Sequence, residues 1–177
     1  KSGVSLKIPM YASSSTDEPP ATETRRKQGR HRHARGDEWS IRLTVESNGQ
    51  IDSGNLLGQL ADAVNGIDHH DLQELAPQDA SWLSLTFWNR AWKNEDVWGY
   101  TSDFRAPSHR AKGNWKFKVR GSEDKQEATL RWTGDEDVIR RARLIDKVTG
   151  EKIRLRDAES YTFPLTDGER RFRLNIH

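Results

Sequence analysis

The sequence contains no cysteine, which excludes a disulfide framework and any metal site built from thiolates. It has no apolar run long enough to cross a bilayer as a helix, so we expect no membrane span. A Gly-x-Ser-x-Gly nucleophile motif and a phosphate-binding glycine loop are also missing. Since no pair of acidic residues is singled out by an apolar setting either, the sequence predicts a protein that is not an enzyme.

Apolar residues are scarce as well. They make up 33% of the 177 residues, against 32% charged residues, so the core must be thin and the surface densely charged. Seven tryptophans offset part of this shortage, because each buried indole contributes a large apolar area. This length and composition fit one domain with a core of its own.

Positive charge is concentrated in one short stretch that has no acidic residue. Removing its six charges from the net charge of +2 leaves −4 for the rest of the chain, which is therefore mildly acidic. The stretch lies within residues 12–38, which lack apolar periodicity and are predicted to form a long disordered basic linker. It has no interleaved aromatic residues to stack on bases, so nucleic acid is not an expected partner. The six residues are Arg25, Arg26, Lys27, Arg30, Arg32 and Arg35.

Alternation of apolar and polar residues, the period of a half-buried β-strand, recurs along the chain. Residues 39–45 show it most regularly, with Trp39, Ile41 and Leu43 on one side. Turn residues separate about eight or nine such segments, which predicts an all-β fold, an antiparallel β-sandwich of the immunoglobulin type. The other clear segments are 4–10, 83–87, 115–119, 128–132, 161–165 and 172–176.

Two glycine turns and one helix-like run complete the predicted elements. Thr149-Gly150 and Asp167-Gly168 each fit the tight connection of a β-hairpin, because glycine supplies the positive φ. The segment that follows the first long strand, up to Asp71, is rich in Gly, Asp and Asn and is predicted to form a long loop. Within it, residues 55–63 place leucines at helical spacing, which indicates a short helix that Gly58 weakens.

The first strand, residues 4–10, stands apart from the rest of the chain. Pro9 cannot donate a ladder hydrogen bond, so we expect this strand at a sheet edge. The linker is long enough for the strand to complete its own sandwich or that of a neighbouring subunit, and the second arrangement would build a filament. We therefore divide the chain into a strand (1–11), a linker (12–38) and a sandwich (39–177), and expect a processed product or the end piece of a longer protein. The apolar side of the strand consists of Val4, Leu6, Ile8 and Met10.

The order of several short motifs resembles a known type of domain. A strand that opens with tryptophan precedes an Asp- and Gly-rich loop, a hairpin and a final strand, in the segments WSIRLTVES, DSGNLLGQLADAVNGIDHHDLQELAP, ARLIDKVTGEKIRLRDAESYTF and RRFRL. This order resembles the β-sandwich module at the C-terminal end of large exported bacterial proteins. The resemblance implies a non-catalytic immunoglobulin-like or fibronectin-like domain, extracellular or at the bacterial cell surface, used for attachment, for assembly or as a spacer. The partners it implies are other domains or subunits of the same surface assembly.

The acidic loop is a candidate metal site. Asp52, Asn55, Asp68 and Asp71 offer the hard oxygen ligands that calcium needs, although their spacing does not match the helix–loop–helix calcium site. Calcium is the one cofactor that the sequence suggests. The alternative is that these side chains hold the loop together by accepting hydrogen bonds from its backbone amides.

The histidines do not form a recognisable metal site. His69 and His70 are adjacent, and adjacent strand residues point to opposite faces, so we do not expect them to bind one ion together. His31 and His33 lie in the predicted linker, whereas a catalytic zinc site needs three ligands that are held rigidly.

Aromatic residues cluster around the insert NRAWKNEDVWGY, which, like the basic linker, departs from the resembled module. Exposed aromatic faces stack on sugar rings, so this cluster would make the chain a carbohydrate-binding module with a glycan as its partner. The alternative is that the rings cap the sandwich or contact a neighbouring subunit. A structural or assembly module is thus the first predicted function, and carbohydrate binding is the second. The four aromatic residues are Trp88, Trp92, Trp98 and Tyr100.

Overall fold

The computed structural model describes residues 38–89, 92, 98–108, 111–165 and 167–177. The predicted N-terminal strand, with Val4, Leu6, Ile8 and Met10, and nearly all of the basic linker lie outside these residues, so both stay predictions. Within the described ranges, no helix is long and apolar enough to cross a membrane.

The described chain is all-β, as predicted, and its strands form one sheet of five and one of seven. The strand count exceeds the predicted eight or nine partly because two of the strands are only two residues long, too short to show alternation. The helical elements that lie wholly within the described ranges are one turn, α1 (Glu136–Ile139), and a 3₁₀ turn at Leu155–Asp157. The strands are β1 (Trp39–Ser47), β2 (Gln50–Gln59), β3 (Gln73–Glu74), β4 (Leu83–Phe87), β5 (Gly99–Tyr100), β6 (Ser102–Arg105), β7 (Gly113–Gly121), β8 (Glu127–Gly134), β9 (Ala142–Asp146), β10 (Lys152–Arg154), β11 (Ser160–Pro164) and β12 (Glu169–Ile176).

The two sheets are mostly antiparallel. The five-stranded sheet has the order β11-β8-β1-β2-β6, and the seven-stranded sheet has the order β10-β9-β12-β7-β4-β5-β3. The prediction of a wholly antiparallel fold is wrong at one place, because β6 pairs with β2 in parallel. The chain leaves the first sheet after β2, contributes β3, β4 and β5 to the second, and returns. This long crossover allows β6 to run in the same direction as β2, which a hairpin cannot do.

The segment predicted as a loop with a helix is a strand up to Gln59 and a loop, as predicted, over residues 60–71. Asn48 and Gly49 have φ values of 46° and 77°, and Ser47 pairs with Gln50 across this two-residue hairpin turn. Both φ values are positive, as in the primed turns whose twist matches that of the flanking strands. The helix predicted for residues 55–63 is therefore wrong. Backbone pairing with β1 extends through Gln59 and overrides the helical spacing of the leucines.

The core lies between the sheets and takes every second residue of the long strands. Trp39, Trp115 and Trp132 are all buried, so the tryptophans do compensate for the scarcity of aliphatic residues. The Trp39 and Trp115 rings meet edge to face with centroids 5.3 Å apart. The strands predicted at 39–45, 115–119, 128–132 and 172–176 are confirmed, with these inward residues: Ile41, Leu43, Val45, Phe117, Val119, Ala128, Leu130, Phe172, Leu174 and Ile176.

The two predicted glycine turns have different outcomes. Gly150 (φ 78°) lies in the connection between β9 and β10, which pair as the predicted hairpin. Gly168 (φ 69°) also makes a turn, but it connects β11 in one sheet to β12 in the other. The hairpin predicted there is wrong, because the chain crosses the sandwich at this turn and each strand pairs within its own sheet.

Candidate functional site

The first two residues of the predicted calcium site form a structural pair inside the fold. Asn55 is fully buried and donates from Nδ2 to Asp52 Oδ1 at 2.8 Å. The other carboxylate oxygen of Asp52 accepts the backbone amide of Leu85 at 2.7 Å. Because Leu85 belongs to β4 and Asp52 to β2, this carboxylate connects the two sheets. A β-bulge between the Leu43 and Val45 pairings interrupts the regular register of β2 with β1 between Asp52 and Asn55.

The other two residues of the predicted site brace the loop after β2. Asp68 accepts the amides of Val64 and His70 at 2.7 and 2.8 Å. Asp71 accepts the amides of Asp68 and Phe104, both at 3.1 Å. Burial raises the pKa of Asp71 to about 6, with Asp103 and Asp68 adding to the effect. Calcium binding stays a prediction, and these hydrogen bonds support the alternative in which the carboxylates hold the loop together.

The predicted aromatic platform is divided among three local contacts. Trp92 packs on Tyr100 with centroids 4.5 Å apart, and Tyr100 is only 5% exposed. The Trp98 ring lies 3.4 Å beneath the Arg120 guanidinium, and the Trp88 ring lies 4.8 Å from Lys116 Nζ. Each ring is therefore in contact with another side chain of the protein. These contacts support the alternative in which the aromatic residues serve packing.

The outer side of the seven-stranded sheet carries a surface rich in basic residues. The apolar residues of β7, β9, β12 and β10 point inward, apart from Ile145, which pairs with Arg173 and Lys152 on the outer side. The residues between the inward ones therefore point outward. Eight of these outward residues are basic, and Glu169 is the one acidic residue among the outward positions of these four strands. We call this surface the cationic face. It consists of Lys116, Lys118, Arg120, Arg143, Lys152, Arg154, Arg171 and Arg173.

The strand register places like charges directly opposite each other on the cationic face. Lys116 faces Arg173 and Lys118 faces Arg171 across β7 and β12. Arg143 faces Arg154 across β9 and β10. Side chains at paired positions have Cβ atoms about 5 Å apart, and like charges there destabilise a sheet.

Local compensation of these charges is incomplete. Glu169 accepts from Arg171 Nε at 2.6 Å and lies 3.8 Å from Lys118 Nζ. In the described residues, Arg173 Nε is buried and has no hydrogen-bond partner. Burial lowers the pKa of Lys118, and the neighbouring positive charge of Arg120 lowers it further. Glu169 thus balances only part of the positive charge of the face.

The outer side of the five-stranded sheet does not have this excess of positive charge. Its central strands β1 and β8 have outward threonines and balanced charges, with Arg42 and Arg131 against Glu46 and Glu127. The Thr129 and Thr162 hydroxyls are 2.9 Å apart across β8 and β11. Excess positive charge is therefore a property of one sheet and not of the strands in general.

At its β4 edge the cationic face meets a half-buried acid. Glu74 lies near Ser84, Asp52 and Arg120, and burial raises the pKa of Glu74 to about 7. The Asp52 charge acts in the same direction, whereas the hydrogen bond with Ser84 and the charge of Arg120 oppose it. Arg120 also donates to the Trp98 carbonyl at 2.9 Å. Arg120 therefore contacts Trp98 and lies near Glu74, and these residues form the border of the face on this side.

Comparison with known proteins identifies no relative. No family model, no curated protein and no solved structure matches the chain. The candidate site therefore rests on the chain's own geometry. The sequence does contain its signal, since Lys116, Lys118 and Arg120 alternate with core residues, but the average charge conceals it.

The histidine prediction needs one correction. His69 and His70 lie in a turn rather than a strand, and their rings face each other with centroids 3.9 Å apart. The rule that neighbours point to opposite faces holds only for extended backbone, so it does not apply here.

Proposed function

We propose that this chain is a non-catalytic, immunoglobulin-like module of an exported bacterial protein, and that it binds an acidic polysaccharide through the cationic face. The observation that carries the proposal is the row-by-row opposition of like charges, Lys116 with Arg173 and Lys118 with Arg171. Such pairs reduce the stability of the free protein, and a ligand that neutralises them removes this disadvantage. Activity at the expense of stability is common at binding sites.

A repeating anion fits this surface better than a small ligand does. Basic residues lie on four neighbouring strands, β7, β12, β9 and β10, and neighbouring strands are about 4.8 Å apart. An extended polymer with regularly spaced carboxylates can meet several of these residues at once. Arginine binds a carboxylate in a bidentate manner, whereas lysine acts as a point charge. A polyuronate is the simplest polymer with this chemistry.

Two other polymers fit less well. Recognition of single-stranded nucleic acid combines basic residues with aromatic rings on which bases stack. On the cationic face, the bordering rings of Trp88 and Trp98 already contact Lys116 and Arg120. The same contacts occupy the rings that a neutral glycan would need. Charge therefore favours an acidic polysaccharide over both.

An extracellular or cell-surface location is part of the proposal and follows from the motif resemblance. Assembly through exchange of residues 4–10 is the second candidate function. One observation favours it, namely that β11 has five residues and is the longest of the described edge strands. An edge of this length offers unpaired backbone groups to an added strand.

The test of the first candidate function compares two variants in which basic residues are replaced by neutral glutamine. The basic linker is also cationic, so both variants are made in a background whose six linker charges are changed to Gln. The face variant is Lys116→Gln/Arg173→Gln on the cationic face, which removes two positive charges. The matched control is Arg42→Gln/Arg131→Gln on the opposite sheet.

We expect the background protein to bind alginate, with an affinity that falls steeply between about 50 and 200 mM salt. Each basic residue near an anionic surface contributes about 1 kcal/mol, so the face variant, which lacks two of them, should bind about 30-fold more weakly. The control should bind like the background. The proposal is wrong if neutralising the linker alone abolishes binding, or if the face variant binds normally. Tighter binding of single-stranded DNA than of alginate would refute the choice of polysaccharide.

A further inference from the structure

One group of potential metal ligands occurs in the loop after β2, at Asp62, His69 and His70. His70 Nε2 lies 2.9 Å from Asp62 Oδ1, and His69 Nε2 lies 3.8 Å from Asp62 Oδ2. The ligand atoms of all three residues lie within 4.8 Å of one another. No other trio of His, Asp or Glu in the described ranges meets this distance.

These separations are close to what a tetrahedral ion needs. Zinc binds histidine nitrogen at about 2.0–2.1 Å and carboxylate oxygen at about 2.0–2.2 Å. The ligand atoms of a tetrahedral site therefore lie roughly 3.3 Å apart. The 2.9 and 3.8 Å separations involve different oxygens of Asp62, so the exposed side chains of His69 and Asp62 must rotate for one carboxylate oxygen and both imidazoles to surround one ion. The ligand atoms already lie within 4.8 Å of one another, so these rotations are small.

Hydrogen bonds hold part of this group in place. Asp68 Oδ1 accepts the backbone amide of His70 at 2.8 Å, and the Ser102 hydroxyl donates to the His70 carbonyl at 2.6 Å. The Phe104 ring packs against the His70 ring with centroids 6.2 Å apart. Asp68, one of the residues that the sequence suggests for calcium, thus positions a histidine. Ordered supporting contacts of this kind are what a metal site needs around its ligands.

We propose that Asp62, His69 and His70 bind a divalent transition-metal ion of the zinc type, with the fourth position open to water. Two imidazoles and one carboxylate suit zinc, copper or nickel, whereas calcium and magnesium prefer oxygen ligands alone. The ion ties the tip of the loop, at Asp62, to the turn at His69 and His70. Its binding stabilises the native state, because the three ligands come together only in the folded chain.

The test uses the full chain after treatment with a chelator. The sequence has six histidines, so the background variant replaces the other four, His31, His33, His109 and His177, with Ala. Zinc chloride is titrated by calorimetry at about pH 7.5, since ligation needs neutral imidazole. We expect a single site that saturates near one zinc per chain, a higher melting temperature, and no competition from calcium at about 1 mM.

Two variants in this background then assign the ligands. Asp62→Asn replaces a charged ligand with a neutral amide oxygen and should weaken zinc binding at least tenfold, since loss of a mere supporting contact already costs about 10- to 100-fold. His69→Ala should abolish the saturable site; the side chain is 73% exposed, so the fold should be unaffected. Asp157→Asn is the control at an exposed aspartate in a different region. Bound cobalt should give the visible bands of a four-coordinate site. Absence of zinc binding in the background, or unchanged binding in His69→Ala, would overturn the proposal.

Discussion

The opposition of Lys116 and Arg173 leads to a prediction about stability that needs no ligand. Arg173→Gln keeps most of the aliphatic stem and removes the charge. It also removes the buried Nε that has no partner in the described residues. If the cationic face is maintained for binding at the expense of folding, this variant should be more stable than the wild type.

The magnitude follows from the register. Paired positions place the Cβ atoms about 5 Å apart, and the flexible ends of two long basic side chains separate to roughly 7 Å. At that distance and a surface dielectric of about 60, Coulomb repulsion is about 0.8 kcal/mol, and about 0.1 M salt roughly halves it. Removal of the unpartnered Nε adds a few tenths of a kcal/mol to the gain in stability. We expect a gain of about 0.5–1 kcal/mol, or about 1–4 °C in melting temperature for a domain of this size.

Urea unfolding at low and high salt measures this gain. The stabilisation should be largest near 0.02 M salt. At about 1 M, where the screening length is about 3 Å, it should fall to the few tenths of a kcal/mol that come from the unpartnered Nε. The control is Arg131→Gln, an outward arginine on β8 that faces Thr44 and Ser160 and should change stability by less than about 0.5 kcal/mol. A loss of stability in Arg173→Gln that is independent of salt would show that Arg173 has a favourable role in the fold, and the reasoning would be refuted.

Two further predictions concern pH and assembly. The pKa of Glu74 rises from an ordinary value of 4.5 to about 7, so its contribution to stability is complete below about pH 4.5 and is lost as the pH rises through 7. After allowance for solvent screening, the wild type should lose about 1–2 kcal/mol relative to Glu74→Gln between about pH 5 and 8 in urea unfolding, and parallel pH profiles would contradict this. Deletion of residues 1–11 should convert any polymers to single subunits in light scattering, and the exchange hypothesis fails if neither assembly nor stability changes.

Local alternation was sufficient to predict the long strands. β7 and β12 keep a strict period of two, with Trp115, Phe117 and Phe172 inward, so each strand could be recognised without its neighbours. β2 could not, because the bulge near Asn55 breaks the alternation in the middle of the strand. Its hairpin signal was present in Asn48-Gly49, a dipeptide that favours two-residue turns.

The candidate site was harder to predict because it depends on which strands are neighbours. The order β10-β9-β12-β7 does not follow the chain, and it places residues from 116 to 173 on one surface. A net charge cannot reveal this arrangement, since the six linker charges and the acidic turns nearly cancel in the sum. The like-charged pairs appear only when the register is known.

In the loop after β2, the role of each aspartate likewise depends on what the fold places beside it. Asp62 and Asp68 are the same residue type and lie six positions apart. Asp68 accepts hydrogen bonds from two backbone amides, whereas the Asp62 carboxylate lies beside the two histidine rings. A carboxylate whose oxygens accept backbone amides braces the chain, and those amides use part of its acceptor capacity. A carboxylate that meets imidazole nitrogens can share a metal with them. The contacts of each oxygen atom, and not the residue type, separate a brace from a ligand.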